Sequence, residues 1–274
     1  MKRNNDKGSG KILRHNAGGV FEFLSDDFAI EEPLSIRIGR KTLATTMRTP
    51  DHDEELAAGF LLSEGILGFN DKIDSFSHPI SGANRENIIV VKPARGVKLK
   101  QSSILRLGTI TSSCGMCGNQ SIDAMRQRFP SITSSGIRIN IPALLSLAGQ
   151  LRKEQDVFSL TGGIHAAGIF DIRGKLLIVR EDIGRHNAVD KVIGHAFLDG
   201  LLPLDQHLLL VSGRASFEIV QKALAAGIPI VVAVSAPSNL AVNFAREMNQ
   251  TLIGFLRPPA FNIYSHVERV ILEK

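Results

Sequence analysis

The segment from residue 207 to residue 256 reads HLLLVSGRASFEIVQKALAAGIPIVVAVSAPSNLAVNFAREMNQTLIGFL. Short apolar runs alternate in it with amphipathic stretches, which predicts strands alternating with helices. The predicted elements are a strand over 207–212, a helix over 216–226, a strand over 228–235, a helix over 237–248 and a last strand over 251–256. The run IPIVVAVS is apolar throughout, as expected of a strand buried on both faces. The alternation favours an α/β fold with a mostly parallel sheet and right-handed crossovers.

The elements predicted upstream of this segment indicate how the whole chain divides into domains. They are a hairpin over 34–49, a helix over 54–62, strands over 73–78 and 87–92, a helix beginning at Pro142, a hairpin over 166–180 and a helix over 187–198. The Asp-x-x-Glu pattern of Asp51 and Glu54 predicts a capping box before the first helix. Residues 1–18 are rich in Lys, Asn and Gly, which predicts a disordered tail. We therefore expect a tail (1–18), a small α+β domain (19–105) and a larger α/β domain (106–274), whose last strands are candidates for packing on the smaller domain.

The composition of the 274-residue chain argues against several classes of protein. A formal net charge of +5 and a sequence pI of about 9.4 suit an anionic ligand. Two cysteines provide no disulfide framework and indicate a reducing compartment. No apolar run approaches the roughly 18 residues of a membrane span, and residues 1–11 are too polar for a secretory signal. With no Trp, one Tyr and no basic stripe, nucleic-acid binding is not indicated, and we expect a cytoplasmic protein.

Cys114 and Cys117 form a C-x-x-C pair in the glycine-rich stretch TSSCGMCG. An amphipathic run from Ile122 predicts a helix directly after the pair, and the positive end of that helix favours thiolate over thiol. A thiolate on such a loop is a mobile nucleophile. From the residues alone, three other interpretations stay open: an incidental pair, a dithiol redox pair, and a zinc site that needs two histidines as further ligands.

Three predicted strand-to-helix turns fall at the carboxyl edge of the predicted sheet, over residues 181–187, 212–216 and 235–239. Backbone N–H groups at helix N-termini bind anions, arginine adds a bidentate phosphate clamp, and open α/β sheets bind ligands in this crevice. The candidate ligand-binding residues of the turns are Arg185, His186, Ser212, Gly213, Arg214, Ser216, Ser238 and Asn239. The turns match neither G-x-G-x-x-G nor the Walker pattern. They favour a phosphate-bearing ligand of another kind, with simple helix caps as the alternative.

A fourth loop of interest covers residues 161–168 and reads TGGIHAAG. Its paired glycines let the backbone approach a ligand closely, which makes Gly163 a candidate contact. His165 is a candidate ligand-binding or acid–base residue, and a structural histidine is the alternative.

Taken together, these motifs resemble the FdhD family, the accessory sulfurtransferases required for formate dehydrogenase activity. The segments that carry the resemblance are RTPDHDEELAAGFLLSEGIL (48–67), TSSCGMCG (111–118), FSLTGGIHAAGIFD (158–171), EDIGRHNAVDKVIG (181–194), SGRASFEIVQKA (212–223), APSNLAV (236–242) and TLIGFLR (251–257). They are spread over nearly all of the chain after residue 30. The resemblance implies a cytidine-deaminase-like α/β fold with a mixed sheet and flanking helices, a smaller N-terminal α+β domain, and a homodimer.

The resemblance also implies a reaction. A cysteine desulfurase hands sulfur to a cysteine of the loop as a persulfide. The sulfur then passes to the molybdenum or tungsten of bis-molybdopterin guanine dinucleotide, which formate dehydrogenase receives. Cys114 matches the persulfide cysteine of the family, and Cys117 is the second of the pair. The family binds the guanine nucleotide part of this cofactor, so GDP is a partial analogue.

By the same resemblance, the segment after Gly254 contributes to cofactor binding. Its residues are Phe255, Leu256, Arg257, Pro258, Pro259 and Ala260. The Pro-Pro-Ala of this chain departs from the family pattern, which has Gly and a second basic residue near these positions. Phe255 and Arg257 are therefore the stronger candidates.

A zinc deaminase is the main rival that the implied fold suggests. Deaminase chemistry needs H-x-E or C-x-E with a downstream P-C-x-x-C. Here Ala167 stands two residues after His165, and the C-x-x-C lies upstream without a preceding Pro. We therefore expect neither a metal nor deamination. A non-catalytic cofactor chaperone and a C-x-x-C dithiol oxidoreductase are the alternative functions.

Overall fold

The computed structural model describes residues 7–80, 85–99, 129–133 and 136–272. The segment of Cys114 and Cys117, and the start of the helix predicted after it, lie outside these residues. The predictions made for that segment therefore stay predictions.

The described elements alternate between strands and helices over most of the chain. The strands are β1 (Lys7–His15), β2 (Phe21–Ala29), β3 (Glu32–Ile38), β4 (Lys41–Arg48), β5 (Ile73–Ser77), β6 (Ile88–Pro93), β7 (Ile139–Asn140), β8 (His165–Asp171), β9 (Leu176–Asp182), β10 (His207–Val211), β11 (Ile230–Ala233), β12 (Thr251–Arg257), β13 (Ala260–Ser265) and β14 (Val270–Ile271). The helices are α1 (Asp53–Ser63), α2 (Ile141–Lys153), α3 (Asp156–Thr161), α4 (Arg185–Leu198), α5 (Phe217–Ala225) and α6 (Asn239–Glu247), with short 3₁₀ turns at Arg85–Asn87 and Val267–Arg269.

The centre of the fold is a six-stranded sheet of order β13-β12-β11-β10-β8-β9. β10, β11 and β12 pair in parallel, whereas β8, β9 and β13 join antiparallel. The predicted α/β class with a mixed sheet and flanking helices is confirmed. The mostly parallel sheet predicted from the alternation is wrong, because the hairpin β8–β9 fills one side of the sheet and β13 folds back along β12 on the other.

The main sheet separates two hydrophobic cores, because successive side chains of a strand point to opposite faces. On one face, Leu209 and Val231 pack in the core that contains residues of α1, α4, α5 and α6. On the other face, Leu210 and Val232 pack in the core that contains residues of α2. All four residues of β11 are buried, which confirms the two-sided burial predicted from its apolar run.

The N-terminal part forms a second sheet of order β4-β3-β6-β5 beside α1. The hairpin, helix and two strands predicted for this part are confirmed. The capping box is wrong, because Asp51 and His52 are left-handed, with φ of 91° and 57°. The carboxylate of Asp51 accepts a hydrogen bond from the His52 N–H at 2.9 Å, and α1 begins after His52 without a side-chain cap.

Close contact between α1 and α4 ties the N-terminal part to the main sheet. A Cβ atom added at Gly59 of α1 would collide with the backbone of Asp190, and one added at Gly194 of α4 would collide with the backbone of Glu55. Glycine at these two positions therefore lets the helix backbones touch. One hydrophobic core includes residues from both parts of the chain. The domain boundary predicted at residue 105 lies outside the described residues and stays a prediction.

The N-terminal residues form an antiparallel hairpin of β1 and β2. The disordered tail predicted over 1–18 is therefore wrong for 7–15. Both strands lie largely at the surface, where Phe21 is 65% and Phe23 80% exposed, so they lack the buried alternation that signals a strand in a sequence. The sequence also gives no prediction of α3, β13 or β14, and β12 is consequently not the last strand.

Candidate functional site

Four strands of the main sheet end at one edge. β9, β10, β11 and β12 run in the same direction, since β8 is antiparallel to both β9 and β10. The turns over 181–187, 212–216 and 235–239 follow three of these strands, and His165 begins β8 at the same edge. The predicted placement of all three turns at one carboxyl edge is confirmed. We call this surface the carboxyl-edge rim; it comprises the three turns, His165 and residues 255–260.

The first two turns of the rim meet at His165. The Oγ of Ser212 accepts a hydrogen bond from the Ala166 N–H at 2.9 Å and lies 3.5 Å from Nδ1 of His165. A Cβ atom added at Gly213 would lie 3.4 Å from the His165 ring and 3.6 Å from Cδ of Arg185. Gly213 therefore lies between His165 and Arg185, and the two turns form one continuous surface.

The third turn and the end of β12 extend that surface. The Ala215 N–H donates to the carbonyl of Ala236 at 3.2 Å, and the Ser238 N–H donates to the carbonyl of Ala215 at 3.0 Å. The Phe255 N–H donates to the carbonyl of Ser235 at 3.1 Å. Backbone hydrogen bonds thus hold the second turn, the third turn and the end of β12 side by side.

Two of the three helices that begin at the rim have no side-chain cap. Neither Gly184 before α4 nor Ser216 before α5 makes a side-chain hydrogen bond to its helix. Ser238 does cap α6, because its Oγ accepts from the Ala241 N–H at 3.2 Å. The alternative prediction of simple caps therefore holds for Ser238 and not for Ser216. The first-turn N–H groups of α4 and α5 are suited to binding an anion.

Positive charge converges on His165. Burial lowers the pKa of its imidazole, and the charges of Arg185, His186 and Arg214 lower it further. The ring is therefore neutral at pH 7. The Nε of Arg185 is buried and has no hydrogen-bond partner among the described residues. A buried donor without a partner is costly, and an anionic oxygen at the rim would satisfy it.

Glu218, in the first turn of α5, lies next to the rim and contacts it in a way that the sequence analysis does not predict. Its Oε2 lies 2.7 Å from Nε2 of His186, and the same nitrogen lies 3.2 Å from Oγ of Ser216. The pair joins the first turn to the start of α5 and orients the His186 ring. His186 and Glu218 are 32 positions apart in the sequence and come from different turns, so no local pattern signals their contact.

The residues after Gly254 differ in what they offer a ligand. Phe255 is left-handed, with φ of 53°, and is 40% exposed beside the third turn. The side chain of Leu256 is fully buried, so this residue can offer only its backbone. The exposed residues of the segment are Phe255, Arg257, Pro258, Pro259 and Ala260. A Cβ atom added at Gly254 would lie 2.9 Å from Pro237, so glycine allows the close approach of β12 to the third turn.

The structure thus brings the predicted residues of the three turns, His165 and the 255–260 segment to a single edge. Gly163 lies two residues before His165 and is exposed. Cys114 and Cys117 lie outside the described residues. Among the residues that the structure does describe, no group of three or more His, Cys, Asp or Glu is suited to hold a metal ion. The expected absence of zinc at the cysteines stays a prediction.

A second polar region is a cavity of about 1060 Å³ at the end of the N-terminal sheet. Its acidic lining residues are Glu32, Asp51, Asp53, Glu54, Glu55 and Glu86, against the two arginines Arg48 and Arg85. Arg48 is buried and donates to Asp53 through Nε at 2.8 Å and Nη2 at 2.9 Å. We call this region the acidic cavity.

Glu55 at the wall of the acidic cavity is held by one arginine and two histidines. Arg180 contacts it with two guanidinium nitrogens, Nδ1 of His195 lies 3.0 Å from it, and Nδ1 of His52 lies 3.5 Å from it. Burial by itself raises the pKa of this carboxyl, but the hydrogen bonds from His52 and Arg180 outweigh burial and lower the pKa to about 2.

The fold of this chain is also found in a solved structure. A crystal structure titled as a putative formate dehydrogenase accessory protein from Desulfotalea psychrophila has the same fold, with a TM-score of 0.76 over 97% of this chain and 99% of that chain. The sequence identity of the pair is 23%, so this likeness concerns the fold alone. The family model described as the FdhD/NarQ family matches residues 29–271, and the chain belongs to this family.

Curated relatives of this family match the chain over most of their own length. The sulfur carrier protein FdhD of Streptomyces avermitilis is 47% identical over 268 residues, which cover 96% of this chain and 95% of that protein. The protein of the same name from Sulfurisphaera tokodaii is 42% identical over 254 residues, which cover 91% of this chain and 94% of that protein. Among the described residues, no helix is long and apolar enough to cross a membrane.

Proposed function

We propose that this protein is a sulfur carrier that serves formate dehydrogenase. In this proposal, a cysteine desulfurase supplies the sulfur, Cys114 carries it as a persulfide, and bis-molybdopterin guanine dinucleotide with molybdenum or tungsten is the substrate that receives it. Membership of the FdhD/NarQ family and relatives named as sulfur carrier proteins support the proposal. We further propose that the protein works as a homodimer in the cytoplasm.

The observation that carries the delivery half of the proposal is the charge of the carboxyl-edge rim. Arg185 and Arg214 lie there beside two helix N-termini that have no side-chain caps. The Nε of Arg185, which has no partner in the part of the chain that the structure describes, adds a donor suited to an anionic oxygen. The proposed substrate carries two guanine dinucleotides and hence several phosphates. Charge-assisted hydrogen bonds from arginine and from helix N-termini are the interactions that phosphates favour.

The proposed chemistry consists of two transfers of one sulfur atom. In the first, the Cys114 thiolate attacks the outer sulfur of the desulfurase persulfide; a new S–S bond forms on Cys114, and the desulfurase cysteine leaves as a thiolate. In the second, the outer sulfur moves to the metal of the substrate, and the Cys114 thiolate leaves with the electron pair of the S–S bond. The metal supplies the two electrons that turn the transferred sulfur into a sulfido ligand. A low thiol pKa favours both steps, since the thiolate is nucleophile and leaving group.

Intact-mass measurement after incubation with a cysteine desulfurase and cysteine tests the carrier half. The wild-type chain should gain the mass of one sulfur atom, and a thiol reductant should remove it. Cys114→Ser should abolish the gain. Cys117→Ser is the matched control for a nearby thiol, and loss of the gain in that variant alone would overturn the assignment to Cys114.

The two alternative functions predict different results for the mass measurement and for the activity of formate dehydrogenase in cells. A non-catalytic chaperone would show no sulfur gain, and Cys114→Ser would still support formate dehydrogenase activity in cells that lack the wild-type protein. A dithiol oxidoreductase would instead lose two hydrogens on oxidation, with Cys114 and Cys117 joined in a disulfide. Sulfur gain on Cys114 together with loss of formate dehydrogenase activity in Cys114→Ser supports the proposal over both.

A further inference from the structure

A buried ion pair lies directly behind the first turn of the rim. Lys191 of α4 is 1% exposed and Asp182 at the end of β9 is 0% exposed, and Nζ of the lysine lies 2.8 Å from Oδ2 of the carboxylate. The other oxygen of Asp182 accepts from the Gly184 N–H at 2.8 Å and from Nδ2 of Asn187 at 2.9 Å. Asp182 thus binds the turn on both sides of Arg185.

The end of β4 completes this network from the N-terminal part of the chain. Thr49 accepts two hydrogen bonds. Its carbonyl oxygen accepts from Nζ of Lys191 at 2.9 Å, and its side-chain Oγ1 accepts from the Ile183 N–H at 3.2 Å. Asn187 donates through Nδ2 to the carbonyl of Met47 at 2.7 Å. The first turn is therefore held by buried and partly buried hydrogen bonds, several of which cross to the end of β4.

A second buried ion pair starts from the neighbouring residue of α4 and leads away from the rim. Asp190 accepts from Nζ of Lys222 at 2.7 and 2.8 Å and from Oγ of Ser63 at 2.8 Å. Lys222 and Asp190 are 8% and 3% exposed, so this pair is also buried, although slightly less than the first. Its hydrogen bonds join α4 to α1 and α5 and do not involve residues of the first turn, which makes it a natural control.

We propose that Thr49, Asp182, Asn187 and Lys191 are positioning residues for anion binding at the carboxyl-edge rim. They hold the turn so that the side chains of Arg185 and His186, which lie between Asp182 and Asn187 in the chain, stay at the rim beside Gly213 and His165. The inference rests on the proposed function of the rim as the site for the phosphates of the substrate. It assigns to this hydrogen-bond network a role in ligand affinity, in addition to its contribution to stability.

The test compares the two buried pairs by titration with GDP, at a temperature where circular dichroism shows each variant folded. Lys191→Met keeps the side-chain length and removes the charge, and it should weaken GDP binding by roughly tenfold, because a small displacement of a positioning clamp is costly. Lys222→Met removes the other buried cation and should leave the affinity within about twofold of wild type. Equal affinity of Lys191→Met and wild type, or equal loss in both variants, overturns the inference.

A milder pair of variants keeps the test decisive if Lys191→Met does not fold. Thr49→Val removes the hydroxyl that accepts from Ile183, whereas Thr49→Ser restores it. Hydrogen exchange without ligand should show faster exchange of the 183–187 amides in Thr49→Val and wild-type protection in Thr49→Ser; unchanged exchange in Thr49→Val overturns the inference. If instead wild-type protein shows no affinity for GDP, the proposed anion site of the rim fails, and the exchange result still decides whether the network orders the turn.

Discussion

The carboxyl-edge rim and the acidic cavity are opposite in charge although helices begin at both. At the cavity, α1 carries Asp53, Glu54 and Glu55 in its first turn, so its own carboxylates complement the positive end of the helix. At the rim, α4 has no acidic residue in its first turn, and Glu218 of α5 is paired with His186. The N-termini of α4 and α5 are therefore left to the anion that we propose for the rim, whereas the N-terminus of α1 is complemented by its own carboxylates.

The comparison also explains why net charge alone does not locate the site. The chain has a formal net charge of +5, yet the cavity is lined by six carboxylates and two arginines. The guanidinium of Arg48 in the cavity already forms ion pairs with Asp53 and Glu32. Arg185 of the rim retains a buried Nε without a partner among the described residues. This contrast between the two arginines supports the anion site that we propose at the rim.

The largest expected effect comes from removing the cations of the rim. Arg185→Ala combined with Arg214→Ala should raise the Kd for GDP by about 100-fold, since each hydrogen bond to a charged group contributes about 1.5 kcal/mol. Arg85→Ala, in the acidic cavity, is the matched control and should leave the Kd unchanged. Isothermal titration calorimetry measures the Kd for GDP of the wild type, the double variant and the control. Weaker binding in Arg85→Ala than in the double variant would show that GDP binds at the acidic cavity and not at the rim.

Lowering the pH should remove the stabilisation that the ionised Glu55 contributes at the acidic cavity. The pKa of Glu55 is about 2 in the folded chain, below its ordinary value of 4.5, so its contribution is present above pH 4.5 and is lost as the pH falls toward 2. Glu55→Gln should therefore lower the free energy of unfolding by about 2 kcal/mol at pH 6, by about half as much at pH 3 and by little at pH 2. Urea unfolding of both proteins across this range measures the difference. A difference that is constant with pH contradicts the ion-pair account of Glu55.

A smaller effect is expected from His165 at the rim. Its pKa is lowered in the free protein by burial and by Arg185, His186 and Arg214, with Asp182 opposing them. A bound anion neutralises the arginines and raises that pKa, so the bound state takes up a proton and the affinity rises as the pH falls. GDP should bind about threefold tighter at pH 6 than at pH 8, beyond any change seen in His165→Gln. The same pH dependence in both proteins would show that His165 does not sense the ligand.

The elements that the sequence predicts well are those whose apolar residues mark a buried face. Leu209 and Val231 of the main sheet and Leu144 and Leu147 of α2 belong to its two cores, and the periodicity of such residues locates their strands and helix. The hairpin β1–β2 has no such face, so its cross-strand pairing leaves no comparable signal. The hairpin of β8 and β9 is predicted, but the direction in which it and β13 join the main sheet leaves no such signal, because that direction depends on the neighbour that β8 and β13 each meet.

The same limit applies to the rim. Strand-to-helix order is enough to place Arg185 and Arg214 at one edge, since it fixes which ends of the strands they follow. It does not indicate that Glu218 orients His186, or that Thr49 reaches the first turn from the end of β4. These contacts join residues 32 and 134 positions apart, and only packing of the folded chain brings them together.

Hydrogen exchange of the wild-type chain with and without GDP measures most directly whether the rim, and not the cavity, is the anion site. The account predicts that GDP slows the exchange of amides in 183–187 and 213–216 and leaves 52–55 and 85–87 unchanged. Protection confined to 52–55 and 85–87, or no protection at the rim at a saturating concentration of GDP, would contradict it.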